Sequence, residues 1–518
     1  MTKKTKTNPL TQRISKLIDA ISHGMHEREE IMAVTLLAAL SGQNTFLYGP
    51  PGTAKSLISR RLASVFDNPN YFECLMNRFT DPNEVVGPVS VKALKEDKYT
   101  RKTQGYLPEA DFAFLDEIWK SSPAILNTLL TMINEHVFKN GDEIKKVPLK
   151  ALISASNEVP QANQGLEALY DRFIVRMEVP PIQERANFDS LINSKPSSDK
   201  PEIDKELKIS QEEWVEWQQA IHNVSLSDET FSIIHMVRDE LVNQAEALKI
   251  YVSDRRWQRA ASLIKASAFF CGRESTNHSD TMLLKYCLWT DPDNRVKVAS
   301  VVENAIKATG FKAPLNMLEI GNRIDELDKD INKELYHQSD VYETYKLNGN
   351  KQYFRVMVTF ISQNSYRREE SKFELYLPVA EFKSKAVSKA VDKNGNIIDR
   401  IKVNFDGTGS CYLSYSDGYS RYNDITFTPK VMFKKGSKKQ DVHEILLNGL
   451  LVQTKDLKKD LCSNRQSVAS KEKNLLSNIN TPFISDESAS ISLQGYEAQI
   501  KSLDLKIKDC ERLEALCL

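Results

Sequence analysis

Three apolar stretches in the first third of the chain alternate with helical patterns. The stretches cover residues 45–48, 112–115 and 149–156, and polar or glycine-rich residues follow each of them. Short apolar runs bounded in this way are typical of strands that are covered on both faces. Helical patterns lie between them at residues 57–63 and 122–130. Strands that alternate with helices predict an α/β domain with an open parallel sheet.

The pattern changes twice in the rest of the chain. Residues 209–310 have a helical pattern, and apolar residues recur at helical spacing from residue 317, with further stripes toward the end. Between these helical parts, apolar and polar residues alternate at 353–360, 373–379 and 401–415. A period of two predicts half-buried strands. We therefore expect a small β-rich domain inserted into a helical bundle.

A glycine-rich segment, GPPGTAKS at residues 49–56, connects the first apolar stretch to a helical pattern. Glycines allow backbone N–H groups to approach a phosphate, the lysine reaches the β- and γ-phosphate oxygens, and the serine hydroxyl binds Mg²⁺. The alternative is an ordinary Gly/Pro turn before a helix. Ala54 stands where a glycine is usual, and we expect a negative φ there that tolerates a Cβ. The residues expected to bind nucleotide are Gly49, Pro50, Pro51, Gly52, Thr53, Ala54, Lys55, Ser56 and Leu57.

Polar side chains end the next two strands. We expect Asp116 to hold Mg²⁺ through water opposite Ser56, and Glu117 to polarise the attacking water as general base. The alternative is that both acids cap the helix at residues 122–130 through its dipole. Asn157 follows the third strand at the same edge, where an amide can bond both γ-phosphate and water. Asparagine is also a common turn former.

A later run, ALYDRF at residues 168–173, contains a further candidate, Arg172. The planar guanidinium binds phosphate oxygens in pairs, and an arginine supplied to a phosphoryl-transfer site contributes on the order of 10³–10⁵ in rate. The alternative is a local surface contact between Asp171 and Arg172, which would contribute little.

These motifs, in this order, resemble the core of an AAA+ ATPase. Residues 81–88 and 104–110 are similar to the MoxR branch, in which a hairpin insertion lies between the second strand and the Walker B strand. Residues 114–120, 123–130 and 166–172 resemble the regulatory ATPase variant (RavA) subgroup. The resemblance extends over about residues 10–290 of the sequence.

The resemblance implies roles for individual residues. Asn157 would be the sensor-1 residue, and Arg172 the arginine finger that reaches a neighbouring subunit. Arg255 would be the sensor-2 residue that touches the γ-phosphate, although Arg256 remains possible. A basic helix N-terminus capped by Ser253 is the alternative. The implied cofactors are ATP and Mg²⁺.

The resemblance also implies a domain organisation and partners. We expect an α/β AAA+ core with an all-α lid, followed by a discontinuous helical bundle that carries a small β-rich domain. The implied partners are further copies in a homo-hexamer, a von Willebrand factor A-type protein and, through the inserted domain, a lysine decarboxylase. The expected boundaries are 1–195 for the core, 196–310 for the lid, 311–345 with 441–518 for the bundle, and 346–440 for the insertion.

Composition narrows the range of partners and compartments. The chain has 70 Lys and Arg and 70 Asp and Glu, so no overall field attracts nucleic acid. The longest apolar stretch, residues 31–40, is about half of a membrane span, and we expect no stable membrane insertion. No signal peptide is visible, and seven cysteines without a Cys-x-x-Cys pair fit a reducing compartment. We therefore expect a cytoplasmic protein.

The expected function is Mg²⁺-dependent ATP hydrolysis by a ring-forming ATPase that remodels or matures protein partners. One alternative is a nucleotide-gated binding scaffold in which hydrolysis is incidental. The other is an AAA+ motor that acts on nucleic acid.

Overall fold

The computed structural model consists of two compact units. It describes residues 8–160, 166–194, 198–309, 317–347, 351–361, 370–416, 422–429, 431–439, 442–479 and 481–518. The first unit comprises Met1–Asn316 and Asp460–Lys506, and the second comprises Met317–Lys459 and Ile507–Leu518. The domain boundaries expected near residues 195, 310 and 440 lie outside the described residues, so the four-part division stays a prediction.

The strands of the first unit form a parallel sheet and a separate hairpin. They are β1 (Asn44–Tyr48), β2 (Tyr71–Leu75), β3 (Phe112–Asp116), β4 (Val137–Asn140), β5 (Glu143–Lys146), β6 (Ala151–Ser156) and β7 (Phe173–Glu178). The sheet has the order β2-β3-β6-β1-β7, and all its neighbouring strands are parallel. Strands β4 and β5 pair only with each other. The carboxyl ends of β1, β3 and β6 therefore meet at one edge.

The first unit also contains a series of helices. They are α1 (Pro9–Ser22), α2 (Glu29–Leu40), α3 (Lys55–Ala63), α4 (Pro82–Val86), α5 (Val91–Leu94), α6 (Pro123–Glu135), α7 (Glu167–Tyr170), α8 (Arg185–Asn193), α9 (Gln211–Asn223), α10 (Asp228–Asn243), α11 (Ala245–Leu248), α12 (Asp254–Phe270), α13 (His278–Thr281), α14 (Leu284–Cys287) and α15 (Pro292–Thr309). Short 3₁₀ helices cover Leu107–Glu109, Ile118–Lys120 and Lys205–Leu207. No helix within the described ranges is long and apolar enough to cross a membrane.

Both faces of the sheet are buried, which explains the uninterrupted apolar runs. Phe112 and Phe114 belong to a core that also contains α1, α2 and the helices after residue 209. Ala113 and Leu115 point to the opposite face, where they belong to a core built with α6. Successive strand residues alternate between faces, so each strand must be apolar throughout.

Three of the helices after residue 209 pack against the sheet domain: α12 contacts α2 and β7, α14 contacts β7, and α9 contacts α2. Leu263 and Ile264 of α12 are fully buried in the same core as α1 and α2. This packing determines where the amino end of α12 lies.

The segment between β2 and β3 contains short helices and one antiparallel bridge, between Val89 and Arg101. The MoxR resemblance implies a hairpin in this segment. Within the described residues, the structure has only this bridge there. The two-stranded hairpin β4–β5 instead follows α6.

The second unit contains a large antiparallel sheet. Its elements are α16 (Met317–Leu335), β8 (Tyr336–Tyr342), β9 (Tyr345–Leu347), β10 (Lys351–Ile361), β11 (Glu370–Pro378), a 3₁₀ helix (Val379–Lys383), β12 (Val387–Val391), β13 (Ile397–Phe405), β14 (Cys411–Tyr415), β15 (Ile425–Phe427) and β16 (Val431–Lys438). Strands β9 to β15 form a seven-stranded meander, and β16 pairs with β8. Two long helices follow, α17 (Glu444–Asn478) and α18 (Asp486–Cys517), and the residues of each are divided between the two units.

The period-two pattern predicted the buried face of this sheet. The inward residues of β10 are Phe354, Val356, Val358 and Phe360, and all four are buried. They pack with Leu375 and Leu377 of β11. The same periodicity that predicts strands therefore identifies the core of this unit.

Candidate functional site

The loop between β1 and α3 has the backbone of a phosphate-binding loop. Gly49 donates its N–H to the carbonyl of Ser156 at 3.1 Å, which joins the loop to β6. A Cβ on Gly49 would lie 2.4 Å from the carbonyl oxygen of Val179, so no side chain fits there. Gly52 has a φ of +80°, which favours glycine. The hydroxyl of Thr53 donates to the carbonyl of Pro50 at 3.0 Å and closes the turn.

Ala54 corrects the sequence prediction. The expected negative φ is wrong, because Ala54 has φ 68° and ψ 26°, the left-handed conformation. This conformation costs an L-residue roughly 1–2 kcal/mol, which explains why glycine is usual at this position. The loop keeps its shape although alanine occupies a position that favours glycine.

Lys55 lies at the centre of the loop, with 7% of its surface exposed. Its ammonium donates to the carbonyl oxygens of Gly49 and Pro50, both at 2.8 Å. Burial lowers the pKa of Lys55, and the nearby charges of Asp116 and Glu117 oppose this shift. Ser56 and Leu57 follow in the first turn of α3, and both are half-buried.

The two acids at the end of β3 lie near this lysine. Burial raises the pKa of Asp116, while the N–H of Glu117 and the charge of Lys55 lower it. Glu117 has φ 53° and ψ 41°, a left-handed conformation that turns the chain sharply after the strand. Its N–H donates to Oδ1 of Asp116 at 3.1 Å. Strain of this kind, which costs about 1–3 kcal/mol, is common at functional sites.

The carboxylate of Glu117 has two partners that the sequence prediction did not include. Its Oε2 accepts a hydrogen bond from the Ser156 hydroxyl at 3.3 Å and lies 3.1 Å from the Lys120 ammonium. Lys120 is three residues along the chain, so local spacing alone would have suggested it. Ser156 is the last residue of β6, which neighbours β3, and Asn157 follows it as an exposed residue at the same edge.

The structure does not bring Arg172 and Arg255 to this loop. Arg172 lies just before β7, where its Nε donates to Oδ1 of Asn134 at 2.6 Å. Arg172 and Arg255 line a pocket that also includes Asn44, the first residue of β1. The loop follows the other end of this five-residue strand, and five residues span roughly 15 Å. Arg255 therefore lies near the end of β1 that is away from the phosphate loop of its own chain, and its sensor-2 role stays a prediction.

Arg172 and Arg255 are instead close to each other. Burial lowers the pKa of Arg172, and the charge of Arg255 lowers it further. The neighbouring Arg256, the other sensor-2 candidate, has 1% of its surface exposed and points into the protein. Its N–H donates to the Ser253 hydroxyl at 3.2 Å, so the predicted N-cap of this helix is present.

A parallel sheet of this order, a lysine-bearing loop after β1 and two acids at the end of β3, on the other side of β6, define a nucleotide-binding protein of the AAA+ class. Comparison with protein families agrees with this class. Residues 12–219 match the MoxR domain of the MoxR-vWA-beta-propeller ternary systems, and residues 229–302 match an AAA lid domain. The chain belongs to the MoxR-type AAA+ ATPases. The predicted fold class is confirmed, and the RavA subgroup stays a prediction.

Individual proteins are similar to large parts of this chain. The chain is 36% identical to the uncharacterized protein MJ0812 of Methanocaldococcus jannaschii over 62% of this chain and 83% of that protein. It is 33% identical to the uncharacterized protein MJ0079 of the same organism over 70% of this chain and 90% of that protein. A solved structure of a proposed ATPase from Cytophaga hutchinsonii has 18% identity and a TM-score of 0.45, covering 57% of this chain and 94% of the other.

Proposed function

We propose that this protein hydrolyses ATP with Mg²⁺ at the loop between β1 and α3. The convergence of Lys55, Asp116 and Glu117 at one edge of the sheet supports this proposal most directly. Lys55 begins α3 whereas the two acids end β3, and the charges of both acids act on the lysine. A buried lysine with two neighbouring acids suits phosphate binding next to a general base.

The residues fit a magnesium ion. Asp116 is a half-buried carboxylate whose pKa is raised by burial, so a nearby cation would stabilise its charged form. Ser56 would supply a hydroxyl oxygen, and oxygen ligands of this kind are those that Mg²⁺ prefers. When bound, Mg²⁺ supplies positive charge to the phosphate oxygens.

Three side chains of this chain would act on the phosphate and on the attacking water. Lys55 would exchange its two carbonyl acceptors for phosphate oxygens. Glu117 would take a proton from water, and Asn157 would orient that water from the adjacent strand end. Glu117 would first have to leave Ser156 and Lys120, because its Oε2 is engaged by both.

Hydrolysis would require a ring of several copies, which we propose to be a hexamer. Arg172 lies at the edge of the sheet opposite the phosphate loop, so it would serve the nucleotide of a neighbouring copy. Arg255, which lies beside Arg172, would contact the nucleotide of the same neighbouring copy. An arginine finger that arrives with a neighbour makes activity depend on assembly.

The protein would use the energy of hydrolysis to remodel or mature a protein partner in the cytoplasm. The matching family model is named for MoxR-vWA systems, which favours a von Willebrand factor A-type partner. We propose residues 346–440 as the partner-binding domain, and a lysine decarboxylase as a second candidate for it. The balance of 70 basic and 70 acidic residues disfavours nucleic acid.

The test is ATP turnover by Lys55→Ala and Glu117→Gln variants of the full chain. Lys55→Ala should lose nucleotide binding. Glu117→Gln should bind ATP but hydrolyse it about 10²–10⁴-fold more slowly, since it lacks the base. Glu135→Gln, an exposed change at the end of α6, is the control and should match the wild type. Wild-type turnover by Glu117→Gln would exclude Glu117 as the base.

The proposed partner needs a separate experiment. Full-length Glu117→Gln protein, held in ATP or in ADP, is used to capture proteins from extract for mass spectrometry. A von Willebrand factor A-type protein retained only in ATP would support the proposed remodelling activity. Capture that ignores the nucleotide, or capture of nucleic acid, would contradict it.

One observation favours a second candidate, the nucleotide-gated scaffold. Glu117 is held by Lys120 and Ser156, so the described conformation keeps the base occupied. A scaffold would bind ATP and then bind different partners. The Glu117→Gln change would alter neither its ATP binding nor its partner binding. Turnover that stimulates partner release would exclude the scaffold.

A further inference from the structure

A positively charged pocket lies at the amino edge of the parallel sheet, away from the phosphate loop. It has two adjoining compartments of about 160 Å³ each. We call the two together the amino-edge pocket. His136, Lys150 and Arg259 line both compartments, and Arg172 and Arg255 line the first.

The charges of this pocket are one-sided. None of the described residues that line either compartment is Asp or Glu. The whole chain, in contrast, has 70 basic and 70 acidic residues. Lys150 is paired with Asp111 outside the pocket, so the arginines supply most of the uncompensated charge. A concave site lined by one sign of charge concentrates counter-ions.

The arginines repel one another in the described conformation. Arg172 donates to neutral acceptors, the side-chain oxygen of Asn134 and the carbonyl of Ala168. Burial and then the charge of Arg255 lower the pKa of Arg172. Burial and then the charge of Arg259 lower the pKa of His136. An anion in the pocket would relieve these repulsions.

Helix geometry directs Arg259 toward the same pocket as Arg255. The two residues are four apart in α12, so they lie on one face of this helix. Both are exposed, whereas Arg256 lies on the buried face. No known motif of the sequence identified Arg259, because its position depends on the packing of α12 against β7 and α2.

The volume of the pocket limits its ligand. Pockets that enclose whole cofactors measure roughly 300–1,000 Å³. Each compartment, at about 160 Å³, is below this range, so either one by itself admits a small anionic group rather than a nucleoside. Arginine guanidinium groups match phosphate oxygens in geometry as well as in charge.

We propose that the amino-edge pocket binds a phosphoryl group and that Arg259 contacts this group together with Arg172. Two sources share this chemistry. One is the terminal phosphate of a nucleotide held by a neighbouring copy, and this source rests on the proposed function. The other is free inorganic phosphate, which requires neither a ring nor hydrolysis.

The first arm of the test measures binding of inorganic phosphate by calorimetry. The Lys55→Ala chain is used so that the phosphate loop does not compete. Arg259→Gln in this background should weaken binding at least about tenfold. Arg238→Gln, an exposed change on α10 away from the pocket, is the matched control and should leave binding unchanged. Trp214 lines the second compartment, so its fluorescence gives an independent readout.

The second arm measures turnover of the assembled protein with an intact phosphate loop. Arg259→Gln should lower kcat at least about tenfold at unchanged assembly, and Arg259→Lys should restore part of it. A loss in this arm, with or without a loss in the first, assigns the pocket to a neighbour's nucleotide. A loss confined to the first arm assigns it to free phosphate.

The inference is overturned if Arg259→Gln changes neither arm. This outcome can be separated from failure of the proposed function. If the wild-type chain hydrolyses no ATP, the proposed function fails and the first arm still decides whether the pocket binds phosphate. If Arg172→Ala slows turnover while Arg259→Gln has no effect in either arm, the proposed function stands and this inference fails.

Discussion

The hydroxyl of Ser156 donates a hydrogen bond of 3.3 Å to Oε2 of Glu117, across two neighbouring strands of the sheet. The bond engages the carboxylate that we propose as general base. While the bond is present, this oxygen of Glu117 is engaged by Ser156 rather than by a water molecule.

Removal of this bond should release the base. We expect Ser156→Ala to raise ATP turnover up to about fivefold, since a hydrogen bond of this kind contributes about 1 kcal/mol. Ser154→Ala is a matched control, because Ser154 lies on the same strand and face, is buried and has no hydrogen-bond partner for its hydroxyl. Steady-state kcat is the measurement. A lower kcat for Ser156→Ala alone would mean that the bond positions the base instead.

Replacement of Ala54 by glycine should relieve backbone strain. The left-handed conformation of Ala54 costs roughly 1–2 kcal/mol, while glycine adds some flexibility to the unfolded chain. We expect a net stabilisation of up to about 1 kcal/mol for Ala54→Gly, seen as a higher thermal midpoint. Ala261→Gly, inside α12, should lower the midpoint because helical alanine is favoured. Equal losses in both variants would contradict the strain at Ala54.

Loss of Arg172 should separate assembly from hydrolysis. We expect Arg172→Ala to assemble normally and to lower kcat by on the order of 10³-fold or more, as for other trans-acting arginines. Sedimentation velocity and ATP turnover on the same sample are the measurements. Arg185→Ala provides the control, since the side chain of Arg185 is 95% exposed. Normal specific activity of Arg172→Ala would exclude it as the finger.

His278 should make the first unit less stable in acid. Its ring lies beside Tyr496, with Nε2 3.4 Å from the hydroxyl, and burial lowers the pKa of His278 to about 4. Glu229 opposes this shift and Lys471 adds to it. Below about pH 6.5 the unfolded chain takes up a proton that the folded chain does not accept, so stability falls as the pH falls toward 4.

This difference in proton uptake lowers the free energy of unfolding by about 2 kcal/mol between pH 7 and pH 5. Thermal midpoints of the wild type and of His278→Asn at the two pH values are the measurement. The variant should lose less stability between them, whereas His235→Asn, an exposed histidine on α10, should behave like the wild type. An unchanged pH dependence in His278→Asn would mean that other groups cause the loss.

The amino-acid sequence by itself determined the secondary-structure elements. It also determined those candidate site residues that lie together in a short segment of the chain. Apolar runs and their periods predicted the parallel strands and the inward face of β10, because burial on one or both faces leaves a local pattern. The segment around Lys55 and the acids at 116 and 117 could be recognised for the same reason. The pairing of Lys120 with Glu117 could also be predicted from the sequence, because the two residues are three apart.

Only the tertiary structure decided how distant segments meet. The Ser156 contact with Glu117 depends on β6 lying next to β3, and the meeting of Arg172 with Arg255 depends on α12 packing against β7. The left-handed backbone of Ala54 was likewise visible only in the folded loop. Strand order and helix packing arise from the whole core, so no local pattern of residues encodes them.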